Sequence, residues 1–268
     1  MIKFNSEDHS YKDENGLKFT SVTELIGNFK EPFDADKIAE KCSKGRGKWK
    51  GIPPEEIKAI WDKEKDRACE LGNWYHDQRE MDVRGCDTLE KEGRVLPIFN
   101  PIEKDGIKIA SNQRLSEGIY PEHLVYLKSA HICGQIDRLE VIDEYVNIID
   151  YKSNKEIKME SYVNWEGISK KMSDPIAHLE DCNFNHYALQ MSLYMFMVLK
   201  QNPGLKPGKL TIQHVKFKEA GRDKYDYPIL ELNNGEPIID SIEYIDCPYL
   251  KKEVFSILLW FKGRGFKL

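Results

Sequence analysis

Three charged side chains lie close together in two neighbouring segments that alternate as β-strands do. The first segment contains Gly134-Gln135-Ile136-Asp137, and in the second Asp150 precedes Lys152 by two positions. Side chains two residues apart in a strand project from the same face. Asp150 and Lys152 are therefore predicted to share one face of a sheet.

The pairing of the two strands is predicted to bring two carboxylates together. A turn centred between Asp143 and Glu144 places Asp137 directly opposite Asp150. Opposed side chains have Cβ atoms ~4.5–5.5 Å apart, so two carboxylates there repel unless a cation lies between them. Mg²⁺ would suit that place, because it prefers carboxylate oxygens together with water and phosphate. The alternative is a solvated hairpin whose acidic side chains face water.

A long helix, predicted from Glu55 to about Met81, carries a histidine and a glutamate on one face. His76 and Glu80 are one helical turn apart, and Gly72, one turn earlier, would allow another segment to approach closely. A single helical histidine is more often a surface or core residue than a ligand. This pattern is therefore weak evidence when taken alone.

A second helix, predicted over residues 183–200, is almost entirely apolar and should be buried. His186, Gln190 and Tyr194 interrupt it at intervals of four residues and form one polar line. Buried polar groups need partners. The line should face either charged groups and water or nearby backbone.

Together these motifs resemble the PD-(D/E)XK nuclease superfamily, and within it the RecB-like branch with its phage-type and mitochondrial-type exonucleases. The motifs are G-x-x-x-H-x-x-x-E at 72–80, G-x-x-D at 134–137, D-x-K at 150–152 and Q-x-x-x-Y at 190–194. Ser21-Val22-Thr23 before a helix and Trp61 are also similar to those exonucleases. Asp150 stands where many relatives have glutamate, a variation that the family pattern allows.

The resemblance implies an α/β fold with a restriction-endonuclease-like core. In this core a mixed central β-sheet is flanked by α-helices, and an N-terminal hairpin and helical insertions are added to it. One or two Mg²⁺ or Mn²⁺ ions would be held by His76, Asp137, Asp150 and the backbone carbonyl of Tyr151.

The resemblance also implies roles for the other motif residues. Lys152 would orient the attacking water and stabilise charge, since two neighbouring carboxylates favour its ammonium form. Gln190 and Tyr194 would position a phosphate or the lysine. Glu80 and Glu122 are further candidate acids; a tight turn at Ser129-Ala130 would bring Glu122 opposite Asp137.

A basic segment at residues 41–51 is a candidate nucleic-acid contact. It has five basic side chains, no acid and three glycines, which predicts a mobile loop and excludes a packed helix. With Trp49 it could hold single-stranded DNA by charge and stacking, or it could be a solvated linker. The expected nucleic-acid contacts are Ser21, Lys44, Arg46, Lys48, Trp49, Lys50 and Lys155.

The composition limits the classes of function. A net charge of −5 has the wrong sign for coating duplex DNA by bulk electrostatics, so any contact must be local. Apolar runs are too short to cross a membrane. The six cysteines include no C-x-x-C pair, which argues against an iron–sulfur cluster and favours reduced thiols in a cytoplasm. The resemblance implies that this is the cytoplasm of a bacterium or a phage-infected cell.

The chain is predicted to form one nuclease domain over residues 1–268. The expected parts are a hairpin, helix and basic loop at 1–54, the histidine-motif helix at 55–83, a catalytic core at 120–218 and a C-terminal extension at 219–268. Residues 84–118 are poorly patterned, with one helix expected near 109–118. Three β-rich runs between residues 122 and 152 predict an antiparallel meander.

The leading functional hypothesis is a metal-dependent deoxyribonuclease, a phosphodiester hydrolase. It would act as an exonuclease on DNA ends or single strands in replication, recombination or repair, with partners from those processes. A structure-specific or CRISPR-adaptation-type endonuclease is one alternative. The others are a catalytically silent DNA-end-binding protein and a metal-binding structural protein with no nucleic-acid role.

Overall fold

The computed structural model describes residues 2–5, 8 and 10–263. Within these residues the helices are α1 (Val22–Gly27), α2 (Ala35–Lys44), α3 (Pro54–Met81), α4 (Asn183–Gln201) and α5 (Lys251–Lys262). The strands of the first half are β1 (Ile2–Asn5), β2 (Ser10–Asp13), β3 (Lys18–Ser21), β4 (Thr88–Lys91), β5 (Arg94–Pro97), β6 (Ile102–Lys104), β7 (Ile107–Ile109) and β8 (Gly118–Leu127). Those of the second half are β9 (Ile132–Ile142), β10 (Tyr145–Lys152), β11 (Lys206–Phe217), β12 (Glu219–Arg222), β13 (Pro228–Leu230), β14 (Leu232–Asn233), β15 (Glu236–Pro237) and β16 (Ile239–Cys247).

A mixed sheet of ten strands forms the centre of the fold, and helices flank it. Its order is β16-β11-β10-β9-β3-β2-β1-β7-β6, and β8 also pairs with β9. β10 runs parallel to β11 and antiparallel to β9. The predicted α/β class, mixed sheet and three-stranded meander are confirmed.

The strand β9 has an interruption along one of its edges. β8 pairs with the other edge over residues 132–141. On the interrupted edge, β3 pairs with 132–133 and β10 pairs with 138–142. Residues 134–137 therefore face a gap between two strands that converge on β9, and this gap contains the G-x-x-D motif.

The helix α4 forms the centre of the main hydrophobic core, as its apolar sequence predicts. Its side chains pack with α1, α5 and the face of the sheet formed by β8–β11. Large apolar side chains such as Leu189, Met191 and Met195 are fully buried, and each contributes ~1.5–3 kcal/mol by leaving water. This packing fixes the position of the polar line of α4 relative to the sheet.

Residues 84–118 do not contain the predicted helix. They form the hairpins β4–β5 and β6–β7. Each hairpin turns at an acid-glycine pair with both residues at positive φ: Glu92 (52°) with Gly93 (74°), and Asp105 (54°) with Gly106 (72°). Such pairs suit the two-residue turns that follow the twist of a hairpin. The turn chemistry here outweighs the weak helical pattern.

The N-terminal segment contains three strands, where the sequence predicts one hairpin. The predicted turn at Asn15-Gly16 lies between β2 and β3, but β1 pairs with β2 as a further strand. β1 also pairs with β7. β1–β3 and the β6–β7 hairpin therefore join the central sheet, whereas β4 and β5 form a separate two-stranded sheet.

The basic segment at 41–51 is not the mobile loop that its composition predicts. Its first four residues complete α2, whose N-terminus is capped by the side chain of Asp34. The ring of Trp49 stacks on Tyr225 at 5.1 Å and meets Trp61 edge-on at 6.0 Å. Aromatic packing that is distant in sequence holds the segment in place, and a local composition cannot reveal it.

Within residues 219–268, which the sequence assigns to a C-terminal extension, the described residues up to 263 contribute to the sheet and to the core. β16 pairs antiparallel with β11, and α5 packs on α4. No helix in the described part of the chain is long and apolar enough to cross a membrane.

Candidate active site

The two motif aspartates lie where β9 and β10 separate. The predicted register is confirmed from the pair Ile142–Tyr145 to the pair Arg138–Ile149. Asp137 and Asp150 follow next in that register. There the backbone N–H of Tyr151 donates a hydrogen bond to Asp137 Oδ2 at 2.7 Å. The Asp137 side chain thus takes the place of a strand partner at the gap in β9.

Asp150 is 2% exposed and already has two partners. The Lys152 ammonium lies 2.5 Å from its Oδ2, and Gln190 Nε2 donates to its Oδ1 at 3.1 Å. Burial raises the pKa of Asp150 to about 6; Asp137 adds to the rise, while Lys152 opposes it. The ionised carboxylate is therefore held at a cost, which a bound cation would offset.

Lys152 remains an ammonium in this environment. Burial would lower its pKa, but Asp150 and Asp137 outweigh burial and raise it. Its Nζ also donates to the carbonyl of Tyr151 at 3.1 Å and lies 4.9 Å from the ring of Tyr187. Lys152 is consequently suited to stabilising negative charge and not to accepting a proton.

His76, Glu122 and Asp137 form a group that could hold a metal ion. One ligand atom from each lies within 4.8 Å of the others. His76 Nδ1 is 3.5 Å from Asp137 Oδ1, and its Nε2 is 3.2 Å from the carbonyl oxygen of Tyr151. Helix α3 thereby brings its histidine to the end of β10, as the Gly72–Glu80 motif implies.

Glu122 occupies an unusual backbone position in the middle of β8. Its φ is 49°, while its neighbours Pro121 and His123 continue to pair with β9. A non-glycine residue rarely adopts positive φ, and such residues are frequent at functional sites. The register on both sides is the one that the proposed turn at Ser129-Ala130 predicts, so Glu122 faces Asp137.

The environment of Glu122 favours its protonated form. Its side chain is 7% exposed and accepts a hydrogen bond from Lys108 Nζ at 3.1 Å. Burial raises the pKa of Glu122 to about 7; Asp137 and Glu80 add to the rise, and Lys108 opposes it. Buried carboxylates with raised pKa values often lie at functional sites.

These donors suit a divalent cation. Carboxylate oxygens are preferred ligands of Mg²⁺ and Mn²⁺, and an imidazole nitrogen is also acceptable to Mn²⁺. Asp150 lies outside the group of His76, Glu122 and Asp137, and Lys152 and Gln190 already engage its carboxylate. Asp150 would have to share its Oδ2 between Lys152 and an ion.

Gln190 and Tyr194 connect α4 to the aspartates. Gln190 donates to Asp150 and also to the Tyr194 hydroxyl at 3.3 Å. The ring of Tyr194 lies against Gly134, so that a Cβ there would overlap its Cε1 and approach its hydroxyl oxygen to 3.0 Å. The glycine of the G-x-x-D motif is therefore required for the close packing of α4 on β9.

Gly134→Ala is expected to lower both stability and the activity of the site. Tyr194 is 4% exposed and cannot move aside freely, so the added methyl should cost ~1–3 kcal/mol and displace Gln190 from Asp150. Thermal unfolding in EDTA would measure the stability loss. Gly27→Ala is the matched control, because a Cβ at Gly27 meets nothing within 4 Å. Equal melting temperatures for the two variants would contradict this account.

Three residues that the sequence analysis selects, Glu80, His186 and Ser21, have partners close to them in the chain and are not part of the group that could hold a metal ion. Glu80 forms an ion pair with Arg84 at 2.6 Å, although it is near enough to Glu122 to influence its pKa. His186 pairs with Asp181 at 2.7 Å and so leaves the polar line of α4. Ser21 caps α1 by accepting a hydrogen bond from the Glu24 N–H.

Some of the predicted nucleic-acid contacts already have partners within the protein. Lys44 pairs with Glu40 at 2.6 Å, and Lys48 donates to the Tyr225 carbonyl while its ammonium lies near the rings of Trp49 and Tyr227. Arg46, Lys50 and Lys155 are exposed. One face of the Trp49 ring is stacked on Tyr225, so that face is not free to stack on a base.

Lys108 and Tyr11 lie near the carboxylates but are not predicted from the sequence. Lys108 lies on β7, within the stretch that lacks a clear pattern. Burial raises the pKa of Tyr11, and Cys133, Glu122 and Asp137 add to the rise, which places its hydroxyl near the acids. Their only sequence signal is the alternation of short strands whose partners are distant in the chain.

Glu122→Gln is expected to stabilise the metal-free protein increasingly as pH rises. Because the folded pKa of Glu122 lies above the ordinary 4.5, the folded state holds its proton more tightly than the unfolded state. Its contribution to stability is present below pH 4.5 and is lost as pH rises through about 7. The neutral amide avoids that loss, which amounts to ~3 kcal/mol at pH 8.

Melting temperatures in EDTA at pH 5 and pH 8 would test this expectation. The comparison with wild type removes the opposite trend of buried His123, whose pKa burial lowers to about 4. Glu160→Gln, at an exposed position, serves as the control. A variant whose advantage is the same at both pH values would contradict the assigned environment.

Comparison with known proteins identifies the family of the chain. A search of curated proteins found no match of significant similarity. The family model of the PD-(D/E)XK nuclease superfamily matches residues 34–246, which contain His76, both aspartates and the Gln190 motif. Nucleases of this superfamily use divalent metal ions to act on nucleic acids. The match covers most of the chain, and the protein belongs to the PD-(D/E)XK nuclease superfamily.

Proposed function

We propose that this nuclease is a Mg²⁺- or Mn²⁺-dependent deoxyribonuclease that degrades DNA from ends or along single strands. The observation that carries the proposal is the group of His76, Glu122 and Asp137 beside the Asp150–Lys152 pair. A donor set for a divalent ion and a charged lysine adjoin each other, as hydrolysis of a phosphodiester requires.

The side chains of the site have separate roles in the proposed reaction. His76, Asp137 and Glu122 would hold the ion, with Asp150 and the Tyr151 carbonyl beside them. A bound divalent ion supplies polarisation of the phosphate and a lowered pKa for a coordinated water. Lys152, held as an ammonium, stabilises the negative charge that develops on the phosphate. Gln190 fixes the carboxylate of Asp150 in position.

The architecture supports exonuclease action over sequence-specific cleavage. Within the described residues, the strands outside the family match, β1–β3, belong to the central sheet and not to a separate recognition unit. The net charge of −5 also disfavours long contacts with duplex DNA. Recognition would thus depend on a DNA end or a flexible single strand.

We further place this activity in DNA replication, recombination or repair, within a reducing cytoplasm. All six cysteines are free, which is typical of intracellular proteins. Proteins of those processes are the partners to search for.

A cleavage time course tests the proposal. The substrates are end-labelled single-stranded and double-stranded DNA and a circular single strand, each with Mg²⁺, Mn²⁺ or EDTA. We expect loss of the linear substrates with either ion and none in EDTA. Cleavage of the circle would favour a structure-specific or CRISPR-adaptation-type endonuclease. Binding without cleavage under every condition would favour a silent end-binding protein and contradict the proposal.

A further inference from the structure

Lys108 places a positive charge directly beside the candidate metal site. Its Nζ donates to Glu122 Oε2 at 3.1 Å, and the two side chains are only 17% and 7% exposed. A lysine so little exposed is normally paired, because burial of an ammonium is unfavourable otherwise. Lys108 is thus the direct counterion of one of the three prospective ligands.

The strand that carries Lys108 is fixed on both sides. Its backbone lies opposite Glu103 of β6 and Phe4 of β1. The root of the side chain is therefore held by the sheet, whereas four flexible bonds lead to the ammonium group. The charged end can move by a few ångströms while the strand stays in place.

The two lysines of the site have separate carboxylates. Lys152 is paired with Asp150, and Lys108 with Glu122. An ion that binds Glu122 must displace the Lys108 ammonium or share the carboxylate with it. Like charges a few ångströms apart in a buried site repel strongly. Lys108 should therefore oppose metal binding by the free protein.

We propose that Lys108 couples metal binding to nucleic-acid binding, by weakening the hold on metal in the free protein and contacting a backbone phosphate when a strand is bound. The inference rests on the proposed nuclease function. A phosphate beside the ion accepts hydrogen bonds from the ammonium and relieves its repulsion with the metal. By linkage, metal and strand then tighten each other's binding by the same factor.

Calorimetric titration with Mn²⁺, without DNA and at pH 8.5, tests the first half of the proposal. We expect Lys108→Met to bind Mn²⁺ about tenfold more tightly than wild type, because a repelling charge is gone. Lys108→Arg keeps the charge and should resemble wild type. Lys104→Met is the matched control, since Lys104 is an exposed lysine of the same hairpin.

Titration with Ca²⁺ in the presence and absence of a short single-stranded oligonucleotide tests the second half. Gel analysis checks that the strand stays intact. In wild type and Lys108→Arg the oligonucleotide should tighten Ca²⁺ binding several-fold, whereas in Lys108→Met it should do so much less. The plot of the logarithm of the oligonucleotide binding constant against the logarithm of salt concentration should also be less steep in Lys108→Met, by about one unit of slope.

The outcomes separate this proposal from the proposed function. If Lys108→Met binds Mn²⁺ no more tightly than wild type, or retains the full effect of the oligonucleotide, Lys108 only holds Glu122 in place and the proposal is overturned. If that happens while wild type still cleaves DNA, the nuclease function stands. If wild type neither binds Mn²⁺ nor cleaves DNA, both fall.

Discussion

Asp150→Asn is expected to reduce DNA cleavage by roughly 10³-fold or more while leaving the fold intact. The amide cannot supply the charged oxygen that Lys152 holds and that an ion would share. At pH 8 the ionised carboxylate, whose pKa is raised to about 6, costs stability that the amide does not. The variant should therefore melt in EDTA at or above the temperature of wild type.

Initial cleavage rates in Mg²⁺ and thermal unfolding in EDTA would measure the two effects of Asp150→Asn. Asp240→Asn, on the exposed edge strand β16, is the matched control and should resemble wild type in both. A variant that cleaves at the wild-type rate would remove Asp150 from the site. A loss of cleavage accompanied by unfolding would assign Asp150 a structural role instead.

His76→Ala is expected to weaken Mn²⁺ binding roughly tenfold or more and to lower cleavage accordingly. The imidazole must be neutral to bind a metal, so protons compete with the ion. Wild-type affinity should therefore fall between pH 8 and pH 6, and the fall should be smaller in His76→Ala. Protonation of carboxylates such as Glu122 will account for the pH dependence of Mn²⁺ affinity that remains in His76→Ala.

Calorimetry with Mn²⁺ at both pH values would measure these affinities. His178→Ala is the control, because His178 is an exposed histidine paired with Glu253 at 2.9 Å. Equal affinities for wild type and His76→Ala at both pH values would exclude His76 as a ligand. The centre would then consist of carboxylates alone.

The elements with strong periodicity could be predicted from the sequence. The apolar pattern that predicts a helix over 183–200 matches α4, and the pattern from Glu55 to Met81 matches α3. The register of β9 and β10 follows from one turn and from apolar residues that must face the same core. In each case the local pattern and the tertiary packing agree.

The failures lie where distant contacts decide the structure. The segment at 41–51 is glycine-rich and basic, yet Trp49 is held by Tyr225, more than half the chain away. The region at 84–118 has two hairpins whose acid-glycine turns are visible in the sequence, but the pairing of β7 with β1 is not. A sequence read segment by segment cannot supply such pairings.

The candidate site shows the same division. The motifs bring His76, Asp137, Asp150, Lys152 and Gln190 to one place, and the register brings Glu122 there as well. Lys108 has no motif, because its position depends on β7 joining the sheet beside β1. Its contact with Glu122 changes the charge balance of the site. The candidate ligands were therefore easier to predict than the lysine that contacts one of them.

The most direct test of the account is the position of Mn²⁺ in crystals soaked with that ion, located by anomalous scattering. We expect a peak at bonding distance, about 2.0–2.3 Å, from His76, Asp137 and Glu122. A second peak near Asp150 would fit a two-ion centre. Soaked crystals of an active preparation that show no peak between these side chains, or show one only elsewhere, would contradict the assignment of this group as the metal centre.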